Sequence, residues 1–209
     1  MIGAFPWQAA RERLMQCAGL GPLHAESGRF VGEGFVFVPP AVLPPILDGD
    51  SPTAWTSRLS DSPGHQIVLL MRAGSASLGV WHDDACLHHK AFKRYVLRGH
   101  GKAQTLHLKT RGKSRYGSRL RLQNAAKLLD EVADRLGSWF ADTHDIDVIH
   151  WSCPVRQWPE LFDAEPAPPF GPDDPRLRRI AMHVHEPDHE ELLRVRRRLG
   201  FGRIEAREV

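Results

Sequence analysis

Over forty-five consecutive residues, 85–129, the chain has neither Asp nor Glu. The whole sequence is only +3, and this stretch holds twelve Lys/Arg, so the remainder carries −9. An acid-free segment cannot neutralise itself, which excludes ion pairs within it and suits its cations to a polyanion. Cysteine is scarce: Cys17, Cys86 and Cys153 are odd in number, widely spaced and without a CxxC pair. That excludes a disulfide frame and fits reduced thiols in a cytoplasmic protein. The longest apolar run, residues 67–71, is far too short to span a bilayer, so no membrane is expected. Arg11, Glu12 and Arg13 interrupt the first twenty-one residues, against a secretory signal. No internal repeat is visible, which excludes a solenoid.

The acid-free segment itself contains two Gly-punctuated cationic runs. One is Arg98-Gly99-His100-Gly101-Lys102-Ala103-Gln104; the other runs from Gly112 and Lys113 through Arg115, Tyr116 and Gly117 to Arg119 and Arg121. Glycine lets backbone and cations approach phosphates closely. Tyr116 adds a stacking face between the charges. The pattern points to RNA, with Lys113, Arg115, Arg119 and Arg121 as the residues that touch it.

The spacing of apolar residues predicts a short helix at 6–18, a strand at 34–38 and an irregular connection over 39–65 with a helical turn near 41–47. Regular structure begins at 66. Runs at 67–72, 77–82 and 90–98 predict a three-stranded antiparallel meander. Ala125, Leu128, Leu129, Val132, Leu136 and Phe140 predict one buried stripe on a helix over about 118–141. Strands at 145–151 and 179–185, a helix at 187–199 and a last edge strand at 202–208 follow, with a Pro-rich excursion at 158–175. The expected fold class is α/β, a ribonuclease-H-like mixed sheet in β-β-β-α-β-β-α order. It divides the chain into a small N-terminal extension, 1–65, and a main domain, 66–209.

On chemistry, Gln104 is neutral and cannot act as a general base near neutral pH. Its amide can position a water and donate to developing oxyanion charge. The same loop also suits a solvated hairpin tip with an idle Gln, since short Gly patterns are weak signals. A ribonuclease-H-type nuclease needs carboxylates on its first strand, first helix and fourth strand. Residues 67–72 supply none, while Asp83, Asp84, Asp145 and Asp147 sit at turns or strand flanks. His88, His89, His183, His185 and His189 lack a complete zinc set at finger spacing. No metal and no cofactor is expected.

Residues 95–104, ending in Gly99-His100-Gly101-Lys102-Ala103-Gln104, together with 113–121, resemble the actinobacterial branch of the Vms-like release-factor family. The resemblance covers about 66–200 and is most specific over 93–136. It implies a ribonuclease-H-like domain similar to the catalytic middle domain of eukaryotic and archaeal class I release factors. It also implies peptidyl-tRNA hydrolase activity in ribosome rescue, with the large ribosomal subunit and peptidyl-tRNA as partners. Gln104 falls on the family's catalytic residue, and Gly99, Gly101, Lys102 and Ala103 on its loop. Arg98, Lys102, Lys109, Lys113, Arg115 and Arg119 would hold that loop against RNA. Release factors proper carry Gly-Gly-Gln where this chain has Lys102-Ala103-Gln104, and Ala103 adopts positive φ only with strain. A non-catalytic RNA-binding module and, less favoured, a metal-dependent nuclease are the alternatives.

Overall fold

The computed structural model describes residues 2–94, 114–143 and 145–207, with side chains in the long helix from 119 onward. The chain divides into two compact units: residues 1–64 with 193–209, and residues 65–192.

In the first unit, five antiparallel strands lie in the order β1-β10-β4-β3-β2. They are β1 (Gly3–Pro6), β2 (His24–Glu26), β3 (Arg29–Gly32), β4 (Phe35–Val38) and β10 (Phe201–Ala206). Only β4 and β10 match strands expected from sequence. The others are three or four residues long, too short to show alternation. Ser27 and Gly28 take φ of 50° and 76°, which closes β2 and β3 in a tight two-residue hairpin. A 3-10 turn, Trp7–Ala9, leads into α1 (Ala10–Ala18) where a single helix is expected. The helical turn anticipated near 41–47 is reduced to one hydrogen-bonded turn, Leu43 N–H to Pro40 O at 3.1 Å, with no helix. Instead α2 (Pro52–Ser57) forms, with Ser51 Oγ capping the Ala54 amide and Pro52 at its first turn. Phe5, Leu14, Phe30, Phe37 and Trp55 fill this core, and Trp55 donates its indole N–H to Pro44 O at 2.9 Å.

The last strand is not an edge. β10 lies between β1 and β4, pairing with both, so residues 193–209 join the first unit rather than following 66–192. A one-dimensional pattern gives no partner for a strand, and this one lies far along the chain from both of its partners.

The second unit holds a mixed sheet in the order β7-β6-β5-β8-β9. Here β5 (His65–Arg72), β6 (Ser75–His82) and β7 (Ala85–Lys93) form the expected meander. β8 (Ile146–Ser152) and β9 (Leu177–Arg179) run parallel to β5. β7 starts five residues earlier than 90–98 suggests, because Asp83 takes φ 52° and a two-residue turn sends the chain straight back. The strand anticipated at 179–185 does not form over 180–185; the three-residue β9 precedes it and ends at its first residue, Arg179. The Pro-rich stretch contains α4 (Gln157–Phe162), and α5 is His189–Leu199. The β-β-β-α-β-β-α order is therefore present, with α4 inserted and β10 given to the other sheet.

Ile67 to Met71 is buried on both sides, as a central strand requires. Ile67, Leu69 and Met71 meet Leu128, Val132, Ala133 and Leu136 of α3 (Ser114–Asp142) in one core. At about 1.5 Å per residue the twenty-nine residues of α3 span roughly 43 Å. It begins before the expected 118, since one glycine inside a helix, Gly117, costs only about 1 kcal/mol.

Candidate functional site

Strand direction locates the site. β6 is antiparallel to both β5 and β7, so β5, β7, β8 and β9 all point the same way. Their C-terminal ends, Arg72, Lys93, Ser152 and Arg179, therefore share one end of the sheet. α3 leads back to the start of β8, so its N-terminus lies toward that same end. Residues 95–113 leave from β7 and return at α3. Ligands of open α/β sheets bind at this end, outside the carboxyl termini of the strands.

Arg94 ties the two flanks together. Its backbone N–H donates to Gly74 O at 2.7 Å, at the turn between β5 and β6. Its guanidinium donates twice to Glu131 of α3, Nε to Oε2 at 2.9 Å and Nη2 to Oε1 at 2.5 Å. The hydrogen bond from Arg94 holds the Glu131 carboxyl below its ordinary range, against a smaller upward push from burial. Beside it, Lys93 pairs with Glu186 at 2.6 Å. An open cleft of about 560 Å³ follows, lined by Lys90, Phe92, Arg94, Glu131, Asp134 and Arg135. Its cations outnumber its carboxylates even after the Arg94–Glu131 pair is set aside.

The predicted residues divide into three groups. Arg98, Gly99, Gly101, Lys102, Ala103, Gln104, Lys109 and Lys113 lie outside the described residues. Arg115 and Tyr116 fall in the opening turns of α3, their side chains also outside. Arg119 is exposed and Arg121 half-buried. From 119 to 127 no residue of α3 is buried, and the core begins at Leu128. This part of the helix presents Arg119, Arg121 and Lys127 with no acidic residue before Asp130. Cations near a helix N-terminus oppose the macrodipole, so this end is electropositive twice over. Arg94, Glu131 and Arg135 escaped the sequence analysis; a contact between a strand end and a position thirty-seven residues away leaves no periodic trace.

Among the described residues no group of three or more His, Cys, Asp or Glu is placed to hold a metal ion. The histidines meet in pairs, His89 with His189 at 4.2 Å and His183 with His185 at 4.8 Å between ring centroids. Asp147 spends Oδ2 on the His65 amide at 2.9 Å. Burial pushes the Cys153 thiol up to about 12, so it is no thiolate nucleophile. Among the described residues no helix is long and apolar enough to cross a membrane.

Residues 66–206 match the family profile of the Bacteroidetes VLRF1 release factor. The fold is similar to that of the Vms1 mitochondrial localization core, with a TM-score of 0.58 and 13% identity over 96% of this chain and 85% of that one. No curated protein sequence is significantly similar.

Proposed function

This chain belongs to the family of the Bacteroidetes VLRF1 release factor, and from that premise we propose that it hydrolyses the ester joining a nascent peptide to tRNA, in the rescue of stalled ribosomes. The observation that carries the reading is the extent of the match, which contains both the 99–104 loop and the cationic start of α3. Gln104 orients the attacking water and donates its amide to developing charge on the ester oxygen. It takes no proton itself; in this reading the 2′-hydroxyl of the substrate's terminal adenosine relays one.

Gly99, Gly101, Lys102 and Ala103 carry Gln104. Arg98, Lys109, Lys113, Arg115, Tyr116, Arg119 and Arg121 hold RNA of the large subunit or the tRNA. The reading uses neither metal nor cofactor and places the protein in the cytoplasm. A ribonuclease-H-like relationship, expected over 66–209, is kept in the proposal for 65–192, supported by three antiparallel strands followed by two parallel ones. So is the actinobacterial placement, which rests on the loop motif, whereas the matching profile bears the Bacteroidetes name.

The deciding experiment is peptide release from peptidyl-tRNA on isolated large subunits. Gln104→Ala should lower the rate about 100-fold or more, the scale of one positioned transition-state hydrogen bond, with RNA affinity nearly unchanged. Gln104→Glu should not restore it, because a carboxylate lacks the donor and repels phosphates. No release by the parent chain would make the protein a non-catalytic RNA-binding module, and full turnover by Gln104→Ala would remove Gln104 from the mechanism. RNA cleavage abolished by EDTA would make it a nuclease.

A further inference from the structure

Opposite the departure of residues 95–113, the same end of the sheet carries an aromatic stack that the release-factor reading leaves unused. Trp151, the penultimate residue of β8, lies face to face with Trp158 of α4, centroids 3.9 Å apart and planes 10° from parallel. Arg179, its neighbour on β9, holds its guanidinium carbon 5.8 Å from the Trp151 ring. Phe162 meets Trp158 edge-on at 5.2 Å and fixes it from the core side. Both indoles are half-buried, while Arg179 is exposed, as are Val155, Arg156 and Arg178 around it. The nearby carboxylates, Glu160 and Asp163, lie on the exposed side of α4.

We propose that Trp151, Trp158 and Arg179 form a stacking site for an unpaired nucleobase of RNA. This deepens the reading above and rests on its RNA substrate. Unpaired bases are recognised by aromatic faces and by the guanidinium plane of arginine, and every base offers a π-face. A flat base between two layers needs about 7 Å, twice an ordinary carbon–carbon contact. The Arg179 guanidinium carbon lies 5.8 Å from the Trp151 ring centroid, so an outward movement on the order of 1 Å or more by this exposed side chain admits one. Position agrees as well: β7 and β8 are three strand steps apart, roughly 14 Å. The site is thus on the sheet end from which the acid-free segment departs, close enough for one RNA strand to touch both. α4 further leaves Gln157 Oε1 buried without a hydrogen-bond partner among the described residues, a cost that packing alone does not explain.

The test measures anisotropy of a labelled single-stranded RNA oligonucleotide beside an abasic one of equal length, on the full chain. Arg179→Lys keeps the charge and removes the plane. It should weaken binding of the base-bearing strand about ten-fold, the size of one missing stack, and leave the abasic strand unchanged. Trp158→Leu should do the same and Trp158→Phe recover most of the loss, with thermal melts confirming the fold of each. Because no charge is removed, the salt slope of binding should stay the same. Equal loss on both strands, or no loss with Arg179→Lys, overturns the site. Repeating the comparison with free tRNA and with isolated large subunits tells which RNA supplies the base. The two readings fail separately. An inactive Gln104→Ala beside a silent Arg179→Lys rejects only the stacking site, and a parent chain without release activity that still loses base-bearing RNA on Arg179→Lys rejects only the hydrolase.

Discussion

Single side chains in this protein do unequal work for similar geometry. The Arg94–Glu131 pair has both partners about a third exposed, at 31% and 40%, so water screens it and it adds little to stability. Its value is positional, since it fixes the last described residue before 95–113 against α3. Arg94→Ala should therefore barely move the melting temperature. Gly79 is the contrast. It is buried beneath the Trp81 ring, and a Cβ there would overlap the indole. Gly79→Ala should cost about 1–3 kcal/mol in a denaturant melt, the range for overpacking a filled core; a neutral result would mean that Trp81 moves freely. Asp50 gives a pH signature. Arg58 and the Leu47 amide donate to its carboxyl and lower it from 3.8 to about 2. A depressed carboxylate stabilises the fold above its unfolded pKa, and that contribution is lost as pH falls toward the folded value. Melting temperatures taken from about pH 5 down to about pH 2 should fall less steeply in Asp50→Asn than in the parent chain. Identical acid slopes would remove Asp50 from the acid response.

At the scale of elements, α3 is two helices in function. Leu128 and Leu136 are fully buried against β5 and β6, and replacing either by Ala should cost about 2–5 kcal/mol. Leu122 is 71% exposed, and Leu122→Ala should stay within about 0.5 kcal/mol. Replacing Arg119 and Arg121 together by Ala should flatten the log–log salt dependence of RNA binding by roughly 0.7 for each phosphate no longer neutralised. An unchanged slope would place the RNA elsewhere. The same helix shows what a sequence can carry. Its stripe from Ala125 to Phe140 and the apolar run of β5 are long, strongly periodic or continuous, and they announce themselves. The meander is legible too, except that β7 is misplaced because the turn at Asp83 and Asp84 is tighter than composition suggests. β2 and β3 are too short to alternate, and β9 is three residues long. For the site, the loop motif could be read from residues 95–104, because it consists of residue types in a row. The Arg94–Glu131 clasp and the Trp151–Trp158 stack could not, because each joins residues that only the folded sheet brings together.

On the scale of the whole molecule, the two sheets draw on the chain differently. The second unit uses a continuous stretch, 65–192, while the first is assembled from both sides of it. β10 supplies hydrogen bonds to β1 and β4 at once, with Ile204 facing both Gly3 and Phe37. Amides of β10 should therefore exchange with deuterium as slowly as those of β4, although they lie near the end of the sequence. Rapid exchange there would mean that the strand frays. Val38 and its partner Arg203 are 165 residues apart. At the usual 5–20 residues per second, synthesis needs roughly 10 s to 30 s to pass from one to the other. For that interval β4 exists without the strand that completes its sheet, and the residues 65–192 emerge and can collapse first. A member of a release-factor family is thus itself a slow customer of the ribosome: should its own translation halt before Phe201, the product would carry a finished second unit and a first unit that cannot close.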